Sequence, residues 1–217
     1  MKIAMILLTS LLFCAPSHSV SAQTFLGQPV IVKTSVNTPE GETIPFVQGR
    51  MAEGFTKKVI EAYMDNPDGK IALQSTGGNM GEAYKLGKFI KDNSLKVYVV
   101  DYCISSCAFA AMSAERVFFS DRSFMAFHAP YFEEIDPRFS LDHYLKTISL
   151  ATFKLGMYFE ETGYKQQFLF DILDKTSRDV YIVYTSNEEL NAERIGSPDR
   201  IRLLSTREQI KNRQQER

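Results

Sequence analysis

Cysteine and histidine are scarce in this sequence, three of each in 217 residues. Neither sign of charge is in excess, and the formal net charge is −1. That balance removes the broad basic field that nucleic acid or an anionic lipid surface would need. No apolar run reaches the roughly 20 residues that a helix needs to cross a bilayer. Linkers, internal repeats and low-complexity stretches are absent between Gln23 and about Leu204. No group of cysteines or paired histidines completes four ligands, so neither a metal nor a cofactor is expected.

The first residues stand apart. Lys2 precedes the apolar run Ile3 to Phe13, and small and polar residues follow, ending in Val20-Ser21-Ala22. This three-part layout is that of a secretory signal over residues 1–22, with cleavage after Ala22. Cys14 follows a phenylalanine where lipoprotein signals carry a small residue, so it is expected to leave with the signal. The expected location is therefore the periplasm or the exterior. What remains holds only Cys103, Cys107, His128 and His143. With 44% hydrophobic residues, residues 23–204 suit one globular domain. Residues 205–217 read as a polar, basic tail, solvated or frayed.

Strand and helix patterns alternate along this domain, which argues for an α/β fold with parallel pairing and right-handed crossovers. An extended start lies near Val30–Thr34. Met51, Phe55, Val59 and Ala62 share a helical face. "KIALQS" (Lys70–Ser75) has the composition of a buried strand, and a helix with Met80, Ala83, Tyr84, Gly87 and Ile90 on one stripe follows the Gly77-Gly78 break. "KVYVVDY" (Lys96–Tyr102) is the next strand, and the small residues Ala108, Ala110, Ala111 and Ala114 suit a closely packed helix. "RVFFS" and "SFMAFHA" are short strands around an Asp121-Arg122 turn. Ser140 caps a long helix carrying Leu141, Leu145, Ile148, Ala151, Leu155 and Tyr158. "DVYIVYT" (Asp179–Thr185) returns as a strand, and Ser186 with Glu189 forms a capping-box pattern before a helix that Gly196 ends.

Ligands in such sheets sit at the carboxyl ends of strands, and two candidate groups fall there. Ser105 stands at a strand-to-helix turn, where free N–H groups and the positive end of the helix dipole favour an anion. An activated serine needs such donors and a base to take its proton. Taken alone, Ser105 is better read as an N-cap. The Gly77-Gly78 turn lets backbone N–H groups approach a ligand closely, or only supplies positive φ. His128 ends the strand "SFMAFHAP", where its imidazole could face the same edge. His143, in the first turn of the long helix, is expected to be solvated.

In that order, "LQSTGGNMGEAYKLGKFI", "CISSCAFAAMSA" and "FMAFHAP" resemble the Clp-protease-like branch of the crotonase superfamily. Members open a helix with S-P-G-G, place a nucleophilic serine in a small-residue helix start, and carry a histidine a little over twenty residues on. The exported branch shows C-x-S-x-C around the serine, which Cys103, Ser105 and Cys107 match. "TSRDVYIVYTSNEELNAERIGSPDRI" is similar to the stretch in which the Clp proteolytic subunit carries its aspartate. The resemblance covers roughly Val47 to Ile201. It implies the ClpP/crotonase-like fold, repeated β-β-α units with a mainly parallel sheet flanked by helices. It also implies an exported serine peptidase acting on peptide or protein substrates through an acyl-enzyme.

Within that resemblance, Ser105 is the nucleophile and His128 the general base. Asp179 orients the imidazole, and the N–H groups of Gly78 and Ser106 form the oxyanion hole. Thr76 replaces the usual proline. The Ser106 hydroxyl is a rival to Ser105, and Asp174 lies close to Asp179. Cys103 and Cys107, in an exported chain, favour a disulfide across Ser105, with two packed free thiols as the other possibility. A non-catalytic binding or scaffold protein and an acyl-coenzyme A enzyme of the crotonase type are the competing functions. Relatives also self-associate through the long helix. Here "SLDHYLKTISLATFKLGMYFEETG" supplies it, with Tyr144, Phe153, Met157 and Phe159 off the main stripe as a possible homo-oligomer contact.

Overall fold

Ile71, Ala72 and Leu73 on one strand, and Val97, Val99 and Cys103 on the next, are fully buried and form the middle of an eight-stranded sheet. The structure is a computed structural model and describes residues 32–38, 41–65, 67–132, 135–195 and 203–205. The signal segment, Cys14, and the tail beyond Ser205 lie outside the described residues.

The strands are β1 (Val32–Asn37), β2 (Thr43–Gln48), β3 (Lys70–Ser75), β4 (Lys96–Ile104), β5 (Val117–Phe119), β6 (Phe124–Phe127), β7 (Val180–Tyr184) and β8 (Leu203–Ser205). Their order in the sheet is β1-β2-β3-β4-β6-β7-β8. β4 is long enough for two partners, with β5 against Val97–Val99 and β6 against Tyr102–Ile104. The centre is parallel, as expected. The two flanks are not: β1 runs antiparallel to β2, and β7 runs antiparallel to both β6 and β8. The expected mainly parallel sheet is therefore a mixed one. Its reversal at β7 follows from two helices, rather than one, between β6 and β7.

Those helices are α4 (Leu141–Thr162) and α5 (Gln166–Lys175). Gly163, at φ 77, ends α4 in the left-handed conformation that glycine adopts freely. α1 (Phe55–Met64), α2 (Met80–Asp92), α3 (Ser106–Ala111) and α6 (Asn187–Ile195) complete the set. α1 begins after Met51, because Gly54 at φ 82 precedes it, so Met51 leaves the expected helical face. α1 buries Phe55, Val59 and Ala62. Glu82 of α2, itself buried, ties α2 to α1 by accepting from the Thr56 N–H (2.9 Å), and Lys85 closes the pair from solvent. α2 buries Ala83, Leu86, Gly87 and Ile90, while Tyr84 turns outward.

α4 departs most from its pattern. Leu155, Tyr158 and Phe159 are buried, but Leu141, Leu145 and Ile148 of the predicted stripe are exposed. Phe159, expected off the stripe, is fully buried, whereas Phe153 and Met157 are exposed as expected. The buried end is fixed by Tyr158, whose hydroxyl donates to the Phe109 carbonyl (2.7 Å) and contacts Ser113. It reaches them over Gly87, where a Cβ would stand 2.0 Å from the tyrosine oxygen. Among the described residues, no helix is long and apolar enough to cross a membrane.

Candidate functional site

β3 and β4 end side by side, and each passes into a helix through a tight turn. After β3, Ser75 holds the turn by accepting from the Gly77 N–H (3.0 Å). Asn79 then caps α2, its side-chain oxygen accepting from the N–H groups of Gly81 (2.7 Å) and Glu82 (3.2 Å). A cap of this kind contributes about 1 kcal/mol. Outside the turn, Met51 pairs with it like a short parallel strand. The Met51 N–H donates to the Gly77 carbonyl (2.9 Å), and the Met51 carbonyl accepts from the Asn79 N–H (2.7 Å). The Gly78 N–H between them donates to no acceptor among the described residues.

After β4, Ser105 has φ 57 and ψ −126, a conformation that side-chain-bearing residues avoid. Holding it costs on the order of 1–3 kcal/mol, so the surroundings must impose it. Three contacts do so. The Ser105 N–H donates to the Ala126 carbonyl (2.8 Å), extending the β4–β6 ladder. The Cys103 and Cys107 sulfurs, 2.03 Å apart, bond across the residue. Gly77 lies against it so tightly that a Cβ there would stand 2.5 Å from the Ile104 carbonyl oxygen, 2.8 Å from Ser105 Cβ and 3.0 Å from the Ser106 nitrogen. The Gly-Gly turn and the serine turn are thus in direct contact. Ser106 opens α3, so its N–H is one of the unpaired donors of a helix start.

The two serine hydroxyls differ. Ser106 is fully buried, and its hydroxyl donates to the Met51 thioether sulfur (3.4 Å). Ser105 is half-buried and caps nothing through its side chain.

His128 stands one residue beyond β6, two residues after the Ala126 that accepts from Ser105. It is 5% exposed. Tyr181 of β7 packs edge-on against the ring (5.1 Å between centroids), Tyr131 lies tilted at the same distance, and Arg178 stacks on the Tyr131 ring. Nδ1 is 2.7 Å from the Ala129 carbonyl oxygen. A carbonyl only accepts, so Nδ1 carries the proton, and in the neutral ring Nε2 keeps its lone pair. Burial pushes the imidazole below its ordinary pKa, and the Ala129 carbonyl offsets part of that. The ring is therefore neutral near pH 7.

Asp179 sits exposed in the turn before β7, its N–H donating to Ser177 Oγ (3.3 Å), and no hydrogen bond joins it to His128 among the described residues. Nor does one join Ser105 to His128. His143 lies elsewhere, exposed and stacked on Phe139. Sequence patterns did not reveal Met51, Tyr131, Thr176 or Tyr181 as neighbours of the site. Met51 was in phase with α1, Tyr131 lies on a segment without a motif, and Thr176 and Tyr181 lie in the stretch similar to the Clp proteolytic subunit, where Asp179 was the residue singled out.

An apolar cavity of about 550 Å³ opens between α2 and α4, beginning at Met80, two residues past Gly78. Tyr84, Phe109, Leu150, Phe153 and Met157 form much of its wall. Ser105 and His128 are outside it. Among the described residues, no cluster of histidine, cysteine or acidic side chains could hold a metal ion.

No family model and no curated protein matches the chain. Solved structures do. A ClpP1 variant from Listeria monocytogenes superposes with a TM-score of 0.51 at 15% sequence identity, covering 68% of this chain and 85% of that one. The chain therefore has a ClpP-like fold.

Proposed function

We propose that the protein is an exported serine hydrolase, most simply a peptidase, with Ser105 as nucleophile and His128 as general base. The observation that carries this reading is the contact of Gly77 with Ser105 and Ser106. It joins the turn that carries Gly78 to the turn that carries Ser106, and the N–H groups of both residues lack an acceptor among the described residues. The fold likeness to a ClpP supports it, as does the neutral imidazole with a free Nε2 at the end of the adjacent strand.

The chemistry follows from these groups. Nε2 takes the Ser105 proton as Oγ attacks the substrate carbonyl, and the Gly78 and Ser106 N–H groups receive the oxyanion. The imidazolium returns the proton to the leaving amine. Water, deprotonated in turn by Nε2, releases the acyl group and restores Ser105. Hydrogen bonds of this kind often close only when substrate is bound, so an open Ser105–His128 pair is compatible with the scheme. Asp179 as the third member would have to displace the Ala129 carbonyl from Nδ1. The disulfide suits an oxidising compartment, and therefore export. We also propose that the exposed apolar side chains of α4 supply the contact of a homo-oligomer.

A fluorophosphonate probe tests the catalytic reading. Stoichiometric modification of Ser105 is expected, absent in Ser105→Ala and weak in His128→Ala. Folded protein that stays unmodified would instead support a binding or scaffold role. Asp179→Asn decides the third member: a loss of about a thousandfold or more in rate assigns it, since breaking a true triad costs that much.

A further inference from the structure

A hydrogen-bonded chain runs behind the imidazole and does not include Asp179. The Ala129 N–H donates to Thr176 Oγ1 (2.7 Å), and the same hydroxyl donates to the Ile172 carbonyl. Its direction is fixed, because an N–H can only donate and a carbonyl can only accept. Thr176 is the residue at which α5 ends, and Ile172 is fully buried in that helix. One hydroxyl therefore fastens the segment leaving β6 to the last turn of α5. The peptide it holds is the one joining His128 to Ala129. The next peptide supplies the carbonyl that meets Nδ1.

From this we infer that Thr176 is the positioning residue of the general base, doing through the backbone what a carboxylate does in a Ser-His-Asp triad. It fixes the His128–Ala129 peptide, so that the Ala129 carbonyl holds the proton on Nδ1 and Nε2 faces the reaction. The inference rests on the hydrolase reading for its catalytic consequence, but its structural core concerns only the tautomer of His128. Among the described residues, no carboxylate is hydrogen-bonded to the ring to compete for that role. The groups facing it are Tyr131, carrying Arg178 on its ring, and Tyr181, whose hydroxyl donates to the Arg178 carbonyl. Valine in place of Thr176 keeps the branched shape but neither accepts from Ala129 nor donates to Ile172. Serine keeps both bonds.

Two measurements test this. The first is the nitrogen-15 spectrum of the histidines at neutral pH, assigned with His143→Gln. The wild-type protein is expected to show His128 neutral with its proton on Nδ1, and a proton on Nε2 would overturn the inference whether or not the protein is a hydrolase. The second is the fluorophosphonate labelling rate. Thr176→Val is expected to lower it about tenfold to a hundredfold, the scale of a small misplacement of a reacting group, and to mix the two tautomers. Thr176→Ser is expected to restore most of the rate and the single tautomer. A valine variant with wild-type rate and tautomer would overturn the inference. A wild-type protein that shows the expected tautomer but takes no label would count against the hydrolase reading and leave the positioning role standing.

Discussion

Gly77 carries more of the site than its size suggests. Its φ of 87 lies where a side chain is strained, and its missing Cβ makes room for Ile104 and Ser105. Gly77→Ala must therefore push the serine turn away or distort its own. A loss of about 1–3 kcal/mol in denaturant unfolding is expected, with a larger fractional loss of Ser105 labelling. His128 makes a second prediction at this scale. Its pKa lies below the ordinary 6.5 because it is buried, so the acid limb of the labelling rate should have its midpoint under that value. Linkage has the same sign. As pH falls through 6.5 the unfolded chain takes the proton first, so the stability contributed here is present above 6.5 and declines toward the folded pKa. A labelling midpoint at or above 6.5 would contradict the buried, neutral imidazole. Ser105 and His128 drew attention in the sequence because each falls where an apolar strand pattern ends, and the family resemblance supplied their expected roles. Thr176 did not: its hydroxyl accepts from the Ala129 N–H, 47 positions earlier, and nothing local signals such a partner.

At the scale of elements, the β4–α3 junction holds a conformation it would not choose, and the Cys103–Cys107 bond closes the smallest ring around it. The entropy of so short a loop is worth roughly 2 kcal/mol, so the double change Cys103→Ala with Cys107→Ala should leave the fold intact. Ser105 labelling is expected to fall more steeply than the unfolding midpoint, because only the turn is released. Thiol titration of the unreduced, unfolded protein should find no free thiol at these positions. The elements themselves were read well where burial is regular, as in β3, β4 and α2. α5 drew no expectation, although Phe168, Leu169 and Ile172 anchor it. α4 exposes Leu141, Leu145 and Ile148. Periodicity reports which side chains share a face, not what covers them.

For the whole molecule, the uncovered sides of α4 matter most. Leu141, Leu145, Leu150, Phe153 and Met157 expose apolar side chains on one helix, and Ile135 and Phe139 precede it. Patches of this extent are characteristic of association sites. Light scattering across a concentration series is expected to show an oligomer, and Leu145→Glu with Phe153→Glu to yield a monomer of unchanged helical content. A strict monomer in the parent protein would refute that expectation. The mixed sheet was the part of the architecture least visible beforehand. Strand direction at β7 depends on how many helices intervene, and α5 had not been counted.

The interlock of Gly77 with Ser105 also limits how this protein can be rebuilt. A serine loop transplanted from a distant relative would meet a glycine turn shaped for different atoms, and the clash would arise before any chemistry could be assayed. The smallest exchangeable part is the pair of crossovers, residues 75–80 together with residues 103–107, moved as one piece.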